Sequence, residues 1–203
     1  MYSHQAFTDG HVGVYHGHLT KLPRHYVARQ RFYMRATLDY WINALDGQPF
    51  GYLNKEVDHG LVQALRDDVL PWLQAHAPLS DEQQRLLAAD PLRPRFTLIF
   101  DREGYSPDLF AQLHHQRIAA LTYHRYPGED WPEEECQQRG VQMADGSIVR
   151  MKLAERGTRL GRGRGVWVRE VRKGAEGGRQ IATVSTNRTG NAAAQAAALL
   201  ARW

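Results

Sequence analysis

Two aspartates stand where a carboxylate can do chemistry. Asp101 closes a strand-like run and opens a loop in Thr97-Leu98-Ile99-Phe100-Asp101-Arg102-Glu103-Gly104-Tyr105-Ser106-Pro107. The apolar, β-prone residues predict a strand, the Gly three residues on predicts a loop, and Ser-Pro-Asp predicts the start of a helix. Asp101 then sits where a buried strand meets solvent. Ligands gather at such strand ends in sheets covered by helices, and a carboxylate there can hold a hard cation within reach of a phosphate. Asp9 lies in Phe7-Thr8-Asp9-Gly10-His11-Val12-Gly13-Val14-Tyr15, whose alternation around Asp-Gly predicts a hairpin or a strand with a turn. Each acid by itself also reads as a turn former that faces water.

Charge is segregated along the chain. From Gly10 to Leu38 there are five basic residues (Lys21, Arg24, Arg29, Arg31, Arg35), four His and no acid. From Arg150 to Arg179 ten Lys/Arg meet three acids, a local +7 against a net +4 for the whole chain. Such patches fit a polyanion, because neutralising phosphates and releasing their counterions drives nucleic-acid binding. They fit a solvated basic face equally well. The His16-Gly17-His18 spacing raises zinc, but no HExxH and no paired CxxC accompanies it. There is also no GxSxG and no GxxxxGK[ST], which argues against a serine hydrolase or a phosphate-loop enzyme.

The elements that must position these residues follow from pattern. A length of 203 residues allows one sizeable domain with room for an inserted subdomain. One cysteine, Cys136, fits a reducing cytosol, and no run approaches a membrane span or a signal peptide. Phe32 to Asn43 and Gln48 to Val57 predict paired strands across Asp46-Gly47. Gly60 to His76 carries apolar residues at helical spacing with Pro71 as a kink or restart, and Ser80 caps a shorter helix. Arg95 to Phe100 and Ile118 to Tyr123 are strands, separated by a helix with Ser106 as cap and a buried stripe of Leu109, Phe110 and Leu113. This order, βββα(α)βαβ, opens a ribonuclease H-like mixed sheet flanked by helices, an α/β class in which Asp9 and Asp101 fall on adjacent central strands. Beyond the acidic link Glu129 to Glu135 come two hairpin patterns, Val141 to Leu153 and Val166 to Ser185. The Gly161-Arg162-Gly163-Arg164-Gly165 repeat lies between them, either as a basic loop that orders on nucleic acid or as a flexible connector. Asn191 then caps an alanine-rich helix that runs to Trp203. The organisation read here is a core over residues 1–127, a β-rich insertion near the C-terminus over 128–188, and the start of a final core helix over 189–203.

Several of these stretches resemble the catalytic domain of DDE-type transposases from bacterial insertion sequences. They are Asp9-Gly10-His11 with Tyr15-His16-Gly17, Leu22-Pro23-Arg24, Phe100-Asp101-Arg102-Glu103-Gly104-Tyr105-Ser106-Pro107, Arg117-Ile118, Leu121-Thr122-Tyr123, Trp131-Pro132-Glu133-Glu134, Met151-Lys152-Leu153-Ala154-Glu155-Arg156 and Arg202-Trp203. Each motif is weak alone, and their shared order is more specific. The resemblance implies three acids, Asp, Asp and Glu, binding two divalent ions, Mg2+ or Mn2+. By position Asp9 is the first acid and Asp101 the second. The Glu is expected just past the Arg-Trp pair, so the resemblance implies a chain truncated before its third ligand and inactive by itself. It also implies double-stranded DNA as partner (element ends and target), a possible homodimer and a place in the bacterial cytosol. Lys21, Arg24, Arg29, Arg162 and Arg164 are the expected backbone contacts. The alternative is a non-catalytic nucleic-acid-binding remnant of the same fold.

Overall fold

Alternating and continuous apolar runs pair into one ten-stranded sheet in the computed structural model, which describes residues 5–27, 29–44, 47–56, 60–76, 78–143, 145–174 and 178–200. In chain order the strands are β1 (Gln5–Val14), β2 (Arg24–Val27), β3 (Phe32–Ala44), β4 (Pro49–Glu56), β5 (Phe96–Phe100), β6 (Ile118–Tyr123), β7 (Gln137–Gln142), β8 (Ile148–Leu160), β9 (Val166–Lys173) and β10 (Ile181–Ser185). Helix α1 (Leu61–Ala64) continues through a π segment, Leu65–Val69, into α2 (Leu70–His76); α3 (Asp81–Ala89), α4 (Pro107–His115) and α5 (Ala192–Leu200) follow. No described helix is long and apolar enough to cross a membrane.

The sheet order is β2-β3-β1-β5-β6-β10-β9-β8-β7, with β4 also paired to β3. Only β1, β5 and β6 run parallel to one another, at the centre. Their neighbours on both sides are antiparallel, so the sheet is mixed. The strands inside the stretch expected as a β-rich insertion, residues 128–188, belong to this same sheet, because β10 pairs antiparallel with β6 through Thr183 and Tyr123.

The central strands are buried on both faces, which is why their sequences read as unbroken apolar runs. One face packs Tyr40, Ile42, Leu98, Phe100 and Ala120 against Leu65, Leu70 and Leu73 and against Leu109, Phe110 and Leu113 of α4. The opposite face packs Phe7, Ile99 and Leu121 against Ala198 and Leu199 of α5. The start of α5 rests elsewhere, with Ala192 among Val141, Met151, Leu153 and Val171. The helix therefore runs from the β7–β8 end of the sheet toward its parallel centre.

Local chemistry sets most boundaries as expected. Ser80 and Gln83 form a reciprocal capping box, with Gln83 N–H donating to Ser80 Oγ at 3.2 Å and Ser80 N–H to Gln83 Oε1 at 2.8 Å. Asn191 Oδ1 accepts from Ala194 N–H at 2.8 Å, starting α5. Pro71, expected as a kink or restart, stands one residue past a π segment, where Leu70 N–H reaches back five residues to the Leu65 carbonyl and α2 begins.

Two expectations are corrected. Asp9-Gly10 is no turn but the middle of β1, opposite Trp41 and Tyr40. Glycine is needed there for closeness, since a Cβ at Gly10 would stand 3.0 Å from the Tyr40 ring. The Gly/Arg-rich stretch from Gly157 to Gly165 is not all connection, since its first four residues are strand. Strand β8 runs to Leu160 and the repeat is its turn into β9, with Gly161, Gly163 and Gly165 at φ of +95°, +64° and +55°.

Candidate active site

The parallel pairing of β1 with β5 ends at Thr8 and Phe100. Asp9 and Asp101 are the next residues on each strand, and Asp101 stays extended at φ −71° and ψ 165°. Side chains alternate along a strand, so the two acids share the face of Phe7 and Ile99, their neighbours two residues back. Parallel neighbours are about 4.8 Å apart, which puts the two backbones side by side at the carboxyl ends of central strands. Both acids are half-buried.

The loop after Asp101 is held tightly. Asp101 Oδ1 accepts from Arg102 N–H at 2.6 Å and caps the single 3-10 turn Arg102–Gly104. Gly104 is buried, and a Cβ on it would fall 2.5 Å from the Phe100 ring. Ser106 then caps α4, its Oγ accepting from Leu109 N–H at 3.3 Å with Pro107 in the first turn. Among the described residues no group of three or more His, Cys, Asp or Glu side chains is placed to hold a metal ion. Two other acids of the β-rich region are committed to ion pairs. Glu155 lies 3.2 Å from Arg169, and Glu170 is buried 2.8 Å from Arg172 Nε and 3.4 Å from His124. Burial pushes the Glu170 carboxyl up, but His124 and Arg172 beside it outweigh burial and hold it below the usual carboxylate range. Tyr40, across the sheet, is pushed up to about 12 by burial and by the charges of Glu103 and Asp68.

Beside Asp9 lies a row of residues that belong to no motif named above. Trp41 is its register partner on β3, and Tyr52 on β4 is the register partner of Trp41. The two rings touch, with centroids 4.8 Å apart. Asp39 accepts from Tyr52 Oη at 2.9 Å and from Asn54 Nδ2 at 2.6 Å, fixing the phenol. The signal was present as alternation: Leu38, Tyr40 and Ile42 turn to the core, whereas Thr37, Asp39 and Trp41 share the other face.

The expected nucleic-acid contacts fall in two places. Lys21, Arg24 and Arg29 are exposed around β2, where Arg24 faces Arg35 and Tyr26 faces Tyr33. Arg162 and Arg164 are exposed in the β8–β9 turn, which reaches the start of α4: a Cβ on Gly161 would stand 3.3 Å from Pro107 Cβ. The rest of the Arg150 to Arg179 patch is less basic than its sequence. Arg156 binds Glu135 at 2.6 Å, Arg169 pairs with Glu155, and buried Arg172 pairs with Glu170 and donates to the Glu129 and Pro127 carbonyls.

No curated protein matches the chain. A family model described as "Transposase protein" matches residues 3–203. Matched over nearly its whole length, the chain belongs to this family of transposase proteins.

Proposed function

We propose that this chain carries the strand-cleaving and strand-joining core of a DDE-type transposase on a ribonuclease H-like sheet. A transposase works on DNA, so the bond acted on is a phosphodiester, first at an element end and then in the target. The observation that carries the reading is the shared level and shared face of Asp9 and Asp101 on adjacent parallel strands. The order β4-β3-β1-β5-β6, antiparallel and then parallel, supports this reading.

The donor set fits a hard cation: two half-buried carboxylates side by side offer oxygen ligands of the kind magnesium or manganese prefers. Bound there, divalent ions would supply charge neutralisation at the phosphate and a more acidic water or hydroxyl. The chain's own part is to hold the carboxylates. Two β-ladders fix β1, Arg102 N–H fixes one Asp101 oxygen, and packed Gly104 keeps the loop from drifting. Helix α5 heads for the pair, with Ala198 and Leu199 on Phe7 and Ile99. Exposed Arg24, Arg29, Arg162 and Arg164 would track the phosphates without reading sequence.

Manganese binding followed by electron paramagnetic resonance tests the assignment. Weak binding is expected in the 203-residue chain, reduced in Asp9→Asn and in Asp101→Asn and lost in the double variant, with circular dichroism unchanged. Undiminished binding in the double variant would overturn the site. Salt-dependent DNA binding with no Asp-dependent ion binding would favour the non-catalytic alternative.

A further inference from the structure

We propose that Trp41 and Tyr52 form a stacking platform for an unpaired DNA base beside the Asp9 and Asp101 pair. The proposal rests on the DNA-processing reading above and adds the state of the strand that the site accepts.

Four observations converge. Trp41 and Tyr52 are 41% and 50% exposed although both lie in the interior of paired strands, so two large rings face solvent where a sheet would normally bury or avoid them. They stand in the same row as Asp9, on the same face, in the register Asp9, Trp41, Tyr52. Helix α5 covers this face over Phe7, Ile99 and Leu121 and packs on β6 to β9, leaving the rings uncovered among the described residues. Asp39 ties down the Tyr52 hydroxyl, so the platform is fixed before anything arrives.

Chemistry selects the occupant. A base inside a duplex already spends both of its faces on its neighbours, so an open aromatic ring can stack only on a base that has left the stack. Trp41 is one strand spacing, about 4.8 Å, from Asp9, and successive bases of a strand are about 3.4 Å apart, so a base near the reacting phosphate reaches the ring. Charge complementarity points the same way. The face continues along β3 to Arg35, which faces Arg24, and to Tyr33, which faces Tyr26, giving a basic and aromatic path away from the acids.

The test compares two DNAs of identical sequence, one a blunt duplex and one with frayed, unpaired ends, by fluorescence anisotropy in EDTA, so that ion binding plays no part. The wild-type chain is expected to prefer the frayed DNA about tenfold, within the range for stacking one base. Trp41→Ala/Tyr52→Ala is expected to erase that preference and keep blunt-duplex affinity, while Trp41→Phe keeps most of it. Equal wild-type affinity for the two DNAs overturns the platform and leaves the acidic site standing. A double variant that loses both affinities by the same factor also overturns it, as does a wild-type dimer, read by sedimentation, that the double variant abolishes. Failure of the wild type to bind either DNA removes the underlying reading as well.

Discussion

Phe7 and Ile99 lie opposite each other on β1 and β5 and bury the same face beneath Leu199. Their contact sets the phase of both strands, and with it the direction of the two aspartates that follow each of them at a distance of two residues. A slip of one residue in this pairing would send one acid to the opposite face.

The loop behind Asp101 depends on a missing side chain. Gly104→Ala would drive a methyl group to 2.5 Å from the Phe100 ring, which is fully buried and has nowhere to go. The expected cost is about 1–3 kcal/mol of stability, typical of overpacking, read as a lower denaturant midpoint at constant slope. A midpoint equal to wild type would show that the 3-10 turn moves freely.

The buried Glu170–Arg172 pair clasps the acidic link to the sheet, because Arg172 also donates to the Pro127 and Glu129 carbonyls and stacks under Trp131. Arg172→Ala leaves a buried carboxylate without its cation and is expected to cost about 3–5 kcal/mol at neutral pH. Since the Glu170 carboxyl is held below its ordinary range when folded, its contribution is present above that range and fades as pH falls through the folded value. The stability gap between wild type and Glu170→Gln, measured by urea melts, should therefore narrow on acidification. A gap that widens toward low pH would contradict the pairing.

Exposure separates the arginines that can meet DNA from those already paired. Arg162→Ala and Arg164→Ala should each lower the slope of log affinity against log salt by about 0.9 if each meets one phosphate of duplex DNA. Arg156→Ala, whose guanidinium is bound to Glu135 at 2.6 Å and lies 4.3 Å from the Trp131 ring, should leave the slope unchanged. Filter binding at several salt concentrations reads both. An equal drop for all three variants would mean that the whole patch acts as one basic face.

Sequence alone determined what short-range chemistry controls: the Ser80, Ser106 and Asn191 caps, the helices they start, the hairpin over Val141 to Leu153 and the strands on either side of Asp101. These depend on residues within a few positions of one another, so pattern suffices. Asp9-Gly10 misled because a favoured turn pair becomes ordinary strand once β3 and β5 bond to both sides of β1, and the glycine then serves the Tyr40 ring. Only the tertiary structure decided that Asp9 and Asp101 stand level, that the strands of residues 137–185 continue the central sheet, and that Arg156, Arg169 and Arg172 of a basic-looking segment are paired with acids. Only pairing brings Trp41 and Tyr52 beside Asp9. Register between distant strands is settled by which faces bury apolar surface together, and no local run of residues contains that information.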